Sequence, residues 1–219
     1  MDSLVGLGPQ IWDATLETLT YVAIAMVIGG LFGLVFGVLL TVCRQGGILQ
    51  NRPVFWVLNL VVNFFRPIPF VILIAALQPL ARVVVGKGIG DAALIFTLSF
   101  AAAFGIARLV EQNLLTVAPG VIKAARAMGA GPIRIILTVL IPEGLGPLIL
   151  GYTFAFIAVI DMTAIAGVIG GGGLGSFALQ YGYRQFEPVV TWTAVAIIVI
   201  IVQLVQLLGN VLARKILRR

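Results

Sequence analysis

Long apolar runs constrain the fold of this chain more than any other feature of its sequence. Only 10% of the residues are charged, whereas soluble domains carry roughly a quarter. Each run is near the roughly 20 residues that a helix needs to cross a bilayer, and we expect helices because backbone groups in hydrocarbon must be satisfied within the segment. The sequence predicts an all-α membrane protein, one transmembrane domain over residues 1–219. Its five transmembrane helices are expected at about 16–42, 54–80, 91–117, 145–168 and 189–213.

The cations between these runs predict the orientation of the chain. Most of the 14 lysines and arginines fall on one side of the predicted membrane: Arg44, Arg52, Arg108, Lys123, Arg126, Arg134, Arg214, Lys215, Arg218 and Arg219. Short loops rich in Lys and Arg stay in the cytoplasm. The N-terminus is therefore expected outside the cell, and the C-terminus and the segment 118–144 in the cytoplasm.

Composition and motifs exclude several classes of function. The chain has no histidine, and Cys43 is its single cysteine, which rules out an internal disulfide and a Cys/His metal cluster. The net charge of +6 is placed at the ends of apolar runs rather than in a basic patch, so no nucleic-acid partner is expected. The glycine-rich stretch 170–175 lacks the Gly-Lys-Ser/Thr ending of a phosphate loop. With no nucleophile–base pair either, the chain is not expected to be an enzyme or to hold a cofactor.

The segment 118–144, APGVIKAARAMGAGPIRIILTVLIPEG, departs from its apolar surroundings. Pro119 suits a first helical turn and Gly129 suits the residue just past a helix end, which predicts a helix of about ten residues. Its small residues share one face and its cations another. Such a short helix is marginal alone in water. Two interpretations follow, a basic helix on the membrane surface or a knob that docks into a partner protein.

Glycines at one-turn spacing in the first run, Gly29, Gly33 and Gly37, predict a helix face that a neighbouring helix can approach closely. This feature concerns packing rather than chemistry.

The segment 118–144 resembles the EAA loop of ATP-binding-cassette (ABC) importer permeases, the coupling helix that seats in the ATPase subunit. Ala124, Ala125, Gly129, Ile141 and Pro142 match that pattern, whereas Lys123 stands where the family usually has Glu. The stretches NFFRPIPFVILI, RLVEQNLL, ARAMGAGP and GGGGLGSFALQYGY resemble the methionine importer permeases in particular. The resemblance implies an ATPase-coupling site at Lys123, Ala124, Ala125, Arg126, Ala127, Met128, Gly129, Ala130, Pro142 and Glu143.

The resemblance also implies an assembly and a function. The fold would be that of a type I ABC importer permease in the bacterial cytoplasmic membrane. Two copies of the chain would meet two ABC ATPase subunits, which hold the ATP and Mg²⁺, and an extracytoplasmic solute-binding protein. The imported substrate would be methionine, as the L-enantiomer and also the D-enantiomer.

Polar residues inside the apolar runs are candidates for the translocation path, because charge within a span is costly and often functional. Arg66 lies in the second run beside Pro67 and Pro69, and Asp161 is the only acid well inside the fourth run. Met162 and Ile165 lie near Asp161 and complete the candidate set. The alternative for both charged residues is a structural role, in which Arg66 caps freed carbonyls and Asp161 pairs with Arg66, Arg108 or Thr163.

Three rival functions remain open from the sequence. The first is an ABC importer for another small amino acid, which Lys123 and Asp161 favour, since Asp161 stands where methionine importer permeases often have an uncharged residue. The second is an ion-driven transporter or channel that uses Asp161 as an intramembrane titratable group. The third is a scaffold protein without transport.

Overall fold

The computed structural model of the chain describes residues 6–217, with the side chains of Val168 and Leu217 outside the description. Within that range the regular backbone is helical. The α-helices are α1 Gly8–Cys43, α2 Arg52–Phe65, α3 Phe70–Val84, α4 Asp91–Leu114, α5 Pro119–Ala127, α6 Pro132–Ile135, α7 Ile141–Glu143, α8 Leu145–Thr163, α9 Leu174–Phe177 and α10 Pro188–Leu217. Two π-helical segments, Ile136–Leu140 and Ala178–Tyr183, and the 3-10 turn Ala166–Ile169 link some of them.

Four of the helices in residues 6–217 are long and apolar enough to cross a membrane, namely α1, α4, α8 and α10. A fifth crossing exists if the strongly bent pair α2 and α3 is counted as one span. The all-α fold class predicted from sequence is therefore confirmed, but the second run is not the single helix expected over 54–80. It breaks at residues 66–69, because Pro67 and Pro69 cannot donate a backbone N–H.

The segment that follows α5 is helical rather than an irregular loop. From Pro132 to Glu143 the backbone is helical throughout, with the π-helical segment in the middle. Pro142 lies in the first turn of α7, where the missing N–H of a proline breaks no helical hydrogen bond.

The chain forms two compact units. The first contains the residues up to Gly29, Ile68–Ala102 and Phe156–Val205, and the second contains Gly30–Pro67, Ala103–Ala155 and the residues from Gln206 onward. In the first unit a buried cluster joins α1, α9 and α10. It consists of Ala14, Leu174, Phe177, Val190 and Ala194, and burial of these apolar side chains stabilises the unit.

In the second unit α1 and α4 pack through glycine. A Cβ atom at Gly33 would lie 2.7 Å from the side chain of Ile106, and one at Gly37 would lie 2.7 Å from Cγ1 of Val110. No larger residue fits without moving a helix. The prediction that these glycines serve close helix packing is thus confirmed for Gly33 and Gly37. The same unit stacks Phe104 against Phe36 and Phe65.

Candidate functional site

Helix α5 begins and ends where the sequence predicted. Pro119 occupies its first turn, and Gly129 adopts a left-handed φ of 79° just beyond its end. The N–H groups of Met128 and Ala130 donate to the carbonyls of Ala124 and Ala125, at 3.1 Å each. The last carbonyls of the helix are therefore satisfied by the turn itself, as in a Schellman ending. Local chemistry fixes both ends of this short helix.

The two faces of α5 have different surroundings. Ala125 is 3% exposed and anchors the helix against its own unit, whereas Ala124 and Ala127 are exposed and Met128 is 81% exposed. Residues at 100° per position place Gly120, Ala124, Ala127 and Met128 along one side. This outward side is small and uncharged, and we call it the bare face of α5.

The cations of α5 lie beside the bare face, toward the connection after α1. Lys123 and Arg126 line a cavity of the second unit together with Arg44, and Arg126 Nη2 donates to the carbonyl of Gly47 at 3.2 Å. The cations thus project toward the connection after α1 rather than along the bare face. The sequence predicted separate faces for the small and the charged residues, and the structure places them so.

The remaining residues of the predicted coupling segment lie after α5. Ala130 is half-buried, while Pro142 and Glu143 are exposed in α7. Glu111 and Glu143 flank α5 in the sequence, and acids so placed predict salt bridges to its two ends. Among the described residues Glu143 makes no ion pair, and Glu111 pairs with Arg108 one turn away on α4.

A polar network inside α2 and α4 was missed by the sequence reading. Asn59 Oδ1 accepts from Arg108 Nη1 at 3.3 Å and from Asn63 Nδ2 at 3.1 Å, and Glu111 is only 6% exposed. Buried charges need partners, and here each charge has one. The sequence signal was available, since Arg108 and Glu111 stand three residues apart within an apolar run.

The four translocation candidates lie at exposed or half-buried positions. In the second unit Arg66 is exposed, and with Asn63 and Pro67 it lines an open cavity. In the first unit Asp161 is exposed near the end of α8, while Met162 and Ile165 are half-buried. Arg108, one of the partners considered for Asp161, is engaged with Glu111 instead.

The glycine-rich stretch 170–175 is held by side chains of its own unit. The N–H of Gly173 donates to Glu17 Oε2 at 2.7 Å, that of Leu174 to Thr18 Oγ1 at 2.8 Å, and that of Gly172 to Asp91 Oδ1 at 3.3 Å. We call these three contacts the loop clamp. Backbone N–H groups of such a stretch bind anions readily, and here the anions are two carboxylates of the chain.

Past the loop clamp the chain is helical from Leu174 to Tyr183. The surface that follows is aromatic, because Tyr183 is 74% and Phe186 is 89% exposed. The residues described contain no group of three or more His, Cys, Asp or Glu side chains that could hold a metal ion.

Comparison with known proteins places this architecture in a family. Residues 33–219 match the family model described as binding-protein-dependent transport system inner membrane component. The chain is 37% identical over 203 residues to a probable D-methionine transport system permease protein of Vibrio cholerae, covering 93% of the chain and 90% of that protein. It is 42% identical over 210 residues to the methionine import system permease protein of Bacillus subtilis, covering 96% and 95%.

Solved structures agree with these relatives. An inward-facing structure of the MetNI methionine ABC transporter superposes with a TM-score of 0.90 at 39% identity, covering 95% of this chain and 98% of that one. An amino acid ABC transporter solved with histidines shares the fold at a TM-score of 0.79 and 24% identity. The resemblance drawn from the segment 118–144 is confirmed, and the chain belongs to the family of binding-protein-dependent transport system inner membrane components.

Proposed function

We propose that this chain is the membrane-spanning permease subunit of an ATP-driven importer for methionine. The observation that carries the proposal is the agreement in fold with the methionine ABC transporter at a TM-score of 0.90 and 39% identity. Relatives named for methionine or D-methionine transport match nearly the whole chain. A fold alone does not specify a substrate, but likeness of sequence and fold over the same residues supports one substrate class.

The bare face of α5 is proposed to be the contact with the ATPase subunit. Helix α5 is only nine residues long, and a helix of that length is marginal unless it packs against something. Ala125 provides an inward anchor, yet Ala124, Ala127 and Met128 remain uncovered. Small side chains and a flexible Met suit insertion into a cleft. Gly129 and Ala130 end the knob, and Pro142 and Glu143 of α7 would border it.

The energy for transport is proposed to come from this partner. Two copies of the chain would sit above two ATPases in the cytoplasmic membrane of a bacterium, and a solute-binding protein would deliver the substrate from outside. ATP binding would draw the ATPases together and move α5 with them, switching the spans from inward-open to outward-open. ATP and Mg²⁺ would be bound by the ATPase, and this chain would contribute no catalytic group.

Co-purification tests the ATPase contact. The tagged chain, extracted in mild detergent, should bring down an ATPase in one-to-one amount. Ala124→Trp places a bulky side chain on the bare face and should abolish that recovery together with ATP-dependent uptake. Thr138→Trp is the matched control, because Thr138 is exposed in the π-helical segment Ile136–Leu140 and lies outside the proposed contact. Equal recovery with both variants would refute the docking role of α5.

The translocation path is proposed to include Arg66, Asp161, Met162 and Ile165. Both charged side chains are exposed in the chain taken alone, so each is free to meet a zwitterionic substrate. Asp161 suits the ammonium group of such a substrate. Asp161→Asn should slow uptake of labelled methionine about tenfold or more while the protein folds normally. Normal uptake by this variant would exclude Asp161 from the path.

One further measurement separates this function from its rivals. Competition of unlabelled amino acids against labelled L-methionine identifies the substrate, and stronger competition by another small amino acid would favour that substrate instead. Collapse of uptake when the proton gradient is dissipated at constant ATP would favour an ion-driven transporter. Absence of any uptake would favour a scaffold.

A further inference from the structure

A cavity in the second unit is not used by the proposed function. It has a volume of about 360 Å³ and opens where α1 and α4 end, between the connection after α1 and the inward side of α5. Its walls come from four separate parts of the sequence. They include Thr41, Arg44 and Ile48 near the end of α1, Leu114 and Leu115 at the end of α4, and Lys123 on α5.

The polar side of this cavity is cationic. Arg44, Lys123 and Arg126 line it, and no carboxylate does. In residues 6–217 neither Arg44 nor Lys123 makes an ion pair, and Arg126 directs one guanidinium nitrogen to the carbonyl of Gly47. Like charges around one cavity repel each other unless an anion lies between them. The acids of the second unit do not supply it, since Glu111 pairs with Arg108 and Glu143 does not line the cavity.

Most of the remaining lining is apolar, with Thr41 and Gln45 as its uncharged polar side chains. The apolar part includes Ile48, Leu114, Leu115, Val117, Ile122 and Leu140. A free inorganic anion gains nothing from such a wall, because apolar surface stabilises only apolar ligand groups. An amphipathic ligand gains from both sides. The cavity also lies at the ends of two membrane-length helices, on the side that the distribution of cations places in the cytoplasm, which is the depth of lipid headgroups.

We propose that this cavity binds an anionic phospholipid of the cytoplasmic leaflet. The phosphate lies among Arg44, Lys123 and Arg126, and the start of an acyl chain lies against the apolar wall. Basic pockets at this depth between membrane helices suit such headgroups. Because the lipid occupies the inward side of α5, the bare face stays open for the ATPase. The bound lipid would fill the space between the segment that follows α1 and helix α5.

Lipid retention tests the proposal. The full-length chain, purified in mild detergent with its co-purifying partners, is delipidated and titrated with phosphatidylglycerol, and the bound lipid is counted by native mass spectrometry. The double variant Arg44→Gln/Lys123→Gln should weaken retention roughly thirtyfold, about fivefold for each cation near the headgroup. The control Arg52→Gln/Arg134→Gln removes the same charge from exposed positions outside the cavity and should retain the lipid.

Three results would overturn the proposal: equal retention of neutral phosphatidylcholine by the unaltered chain, equal loss in the control pair, or full displacement of phosphatidylglycerol by millimolar inorganic phosphate, which identifies a free-anion site. If the double variant does not fold, the unaltered chain decides the question. Raising NaCl from about 0.1 M to about 0.5 M should weaken phosphatidylglycerol retention several-fold, and a flat response would refute a charge-based site. ATPase recovery is recorded in parallel, so failure of the lipid site remains distinguishable from failure of the importer proposal.

Discussion

The glycine-rich loop 170–175 and helix α5 both lie outside the long apolar helices, but they differ in how their groups are satisfied. In the loop, three consecutive backbone N–H groups are bound by side chains of the same unit, those of Asp91, Glu17 and Thr18. In α5 the turn at the C-terminal end satisfies the last carbonyls, and the side chains of Ala124 and Ala127 on one face are exposed. A segment whose polar groups are held internally is already fixed. A segment with an uncovered apolar face has its partner elsewhere.

The charged side chains of the two units differ in a similar way. In the first unit the loop clamp uses carboxylates, and they act as internal ligands for backbone donors. In the second unit the cations around α5 outnumber the acids, and Arg44 and Lys123 have no acid partner among residues 6–217. Asp91 and Glu17 of the first unit therefore hold structure, whereas Arg44 and Lys123 of the second unit are available to bind an anion. Four substitutions test this contrast, from the largest expected effect to the smallest.

The largest effect is expected where α1 packs closely on α4 in the second unit. Gly37→Leu would drive a side chain into Val110 and into the carbonyl of Ala107, which a Cβ would already approach at 2.6 Å. Overpacking at backbone contact should lower the free energy of unfolding by about 3 kcal/mol. A fusion to a fluorescent protein, run on size exclusion after heating, measures the loss.

The matched control is Gly105→Leu on α4. A Cβ at Gly105 meets no atom within 4 Å, so this variant should fold normally. Equal stability of the two variants would show that close packing of α1 on α4 does not support the second unit.

The next effect is expected in the loop clamp. Gly173 has a φ of 93°, and a Cβ there would lie 2.8 Å from Thr18 Oγ1. Gly173→Ala should therefore lower the free energy of unfolding by about 2 kcal/mol, through backbone strain and the displaced threonine. Gly131→Ala adds a methyl group in open space at ordinary φ and should change it by less than about 0.5 kcal/mol. Thermal unfolding of both variants in one detergent gives the comparison, and a smaller loss at Gly173 than at Gly131 would contradict a fixed loop.

Local signals allowed some of these features to be predicted from sequence. Run length gave the membrane helices, and Pro119 with Gly129 gave the ends of α5, because such signals act within a few residues. The loop clamp escaped prediction because Glu17 and Thr18 reach residues 156 positions away, and no local pattern encodes that pairing. The break at residues 66–69 was signalled by its prolines, but whether a helix kinks or divides there depends on tertiary contacts.

The features of the candidate site also divide into those that local sequence predicts and those that only the fold shows. The coupling role of the segment 118–144 could be proposed from sequence because its residue spacing is local and resembles a known loop. The cavity beside it could not, since its walls come from α1, α4 and α5. Likewise the partner of Arg108 was open until the fold placed it, and that partner is Glu111 rather than Asp161.

A smaller loss of stability is expected when only the negative charge of Glu17 is removed from the loop clamp. Glu17→Gln keeps an acceptor oxygen near the N–H of Gly173 but removes the negative charge. Charge-assisted hydrogen bonds are stronger than neutral ones, so the free energy of unfolding should fall by about 1 kcal/mol. Asp13→Asn is the control, because Asp13 is an exposed acid on the same helix. Hydrogen exchange at residues 172–174 should quicken in the Glu17→Gln variant only. Equal exchange in both variants would mean that Thr18 and Asp91, rather than the charge of Glu17, fix the loop.

The smallest effect is expected at α5, where Arg126→Gln removes the hydrogen bond to the carbonyl of Gly47. Arg126 is exposed, so the loss should be within about 0.5 kcal/mol and should leave thermal unfolding nearly unchanged. Hydrogen exchange should quicken only locally, in residues 119–130, while Arg134→Gln should leave that segment unchanged. A large fall in the free energy of unfolding would mean that Arg126 stabilises the second unit as Glu17 stabilises the first. The contrast between structural acids and available cations would then be wrong. A local response instead leaves Ala125 as the anchor of α5 and its cations free to bind.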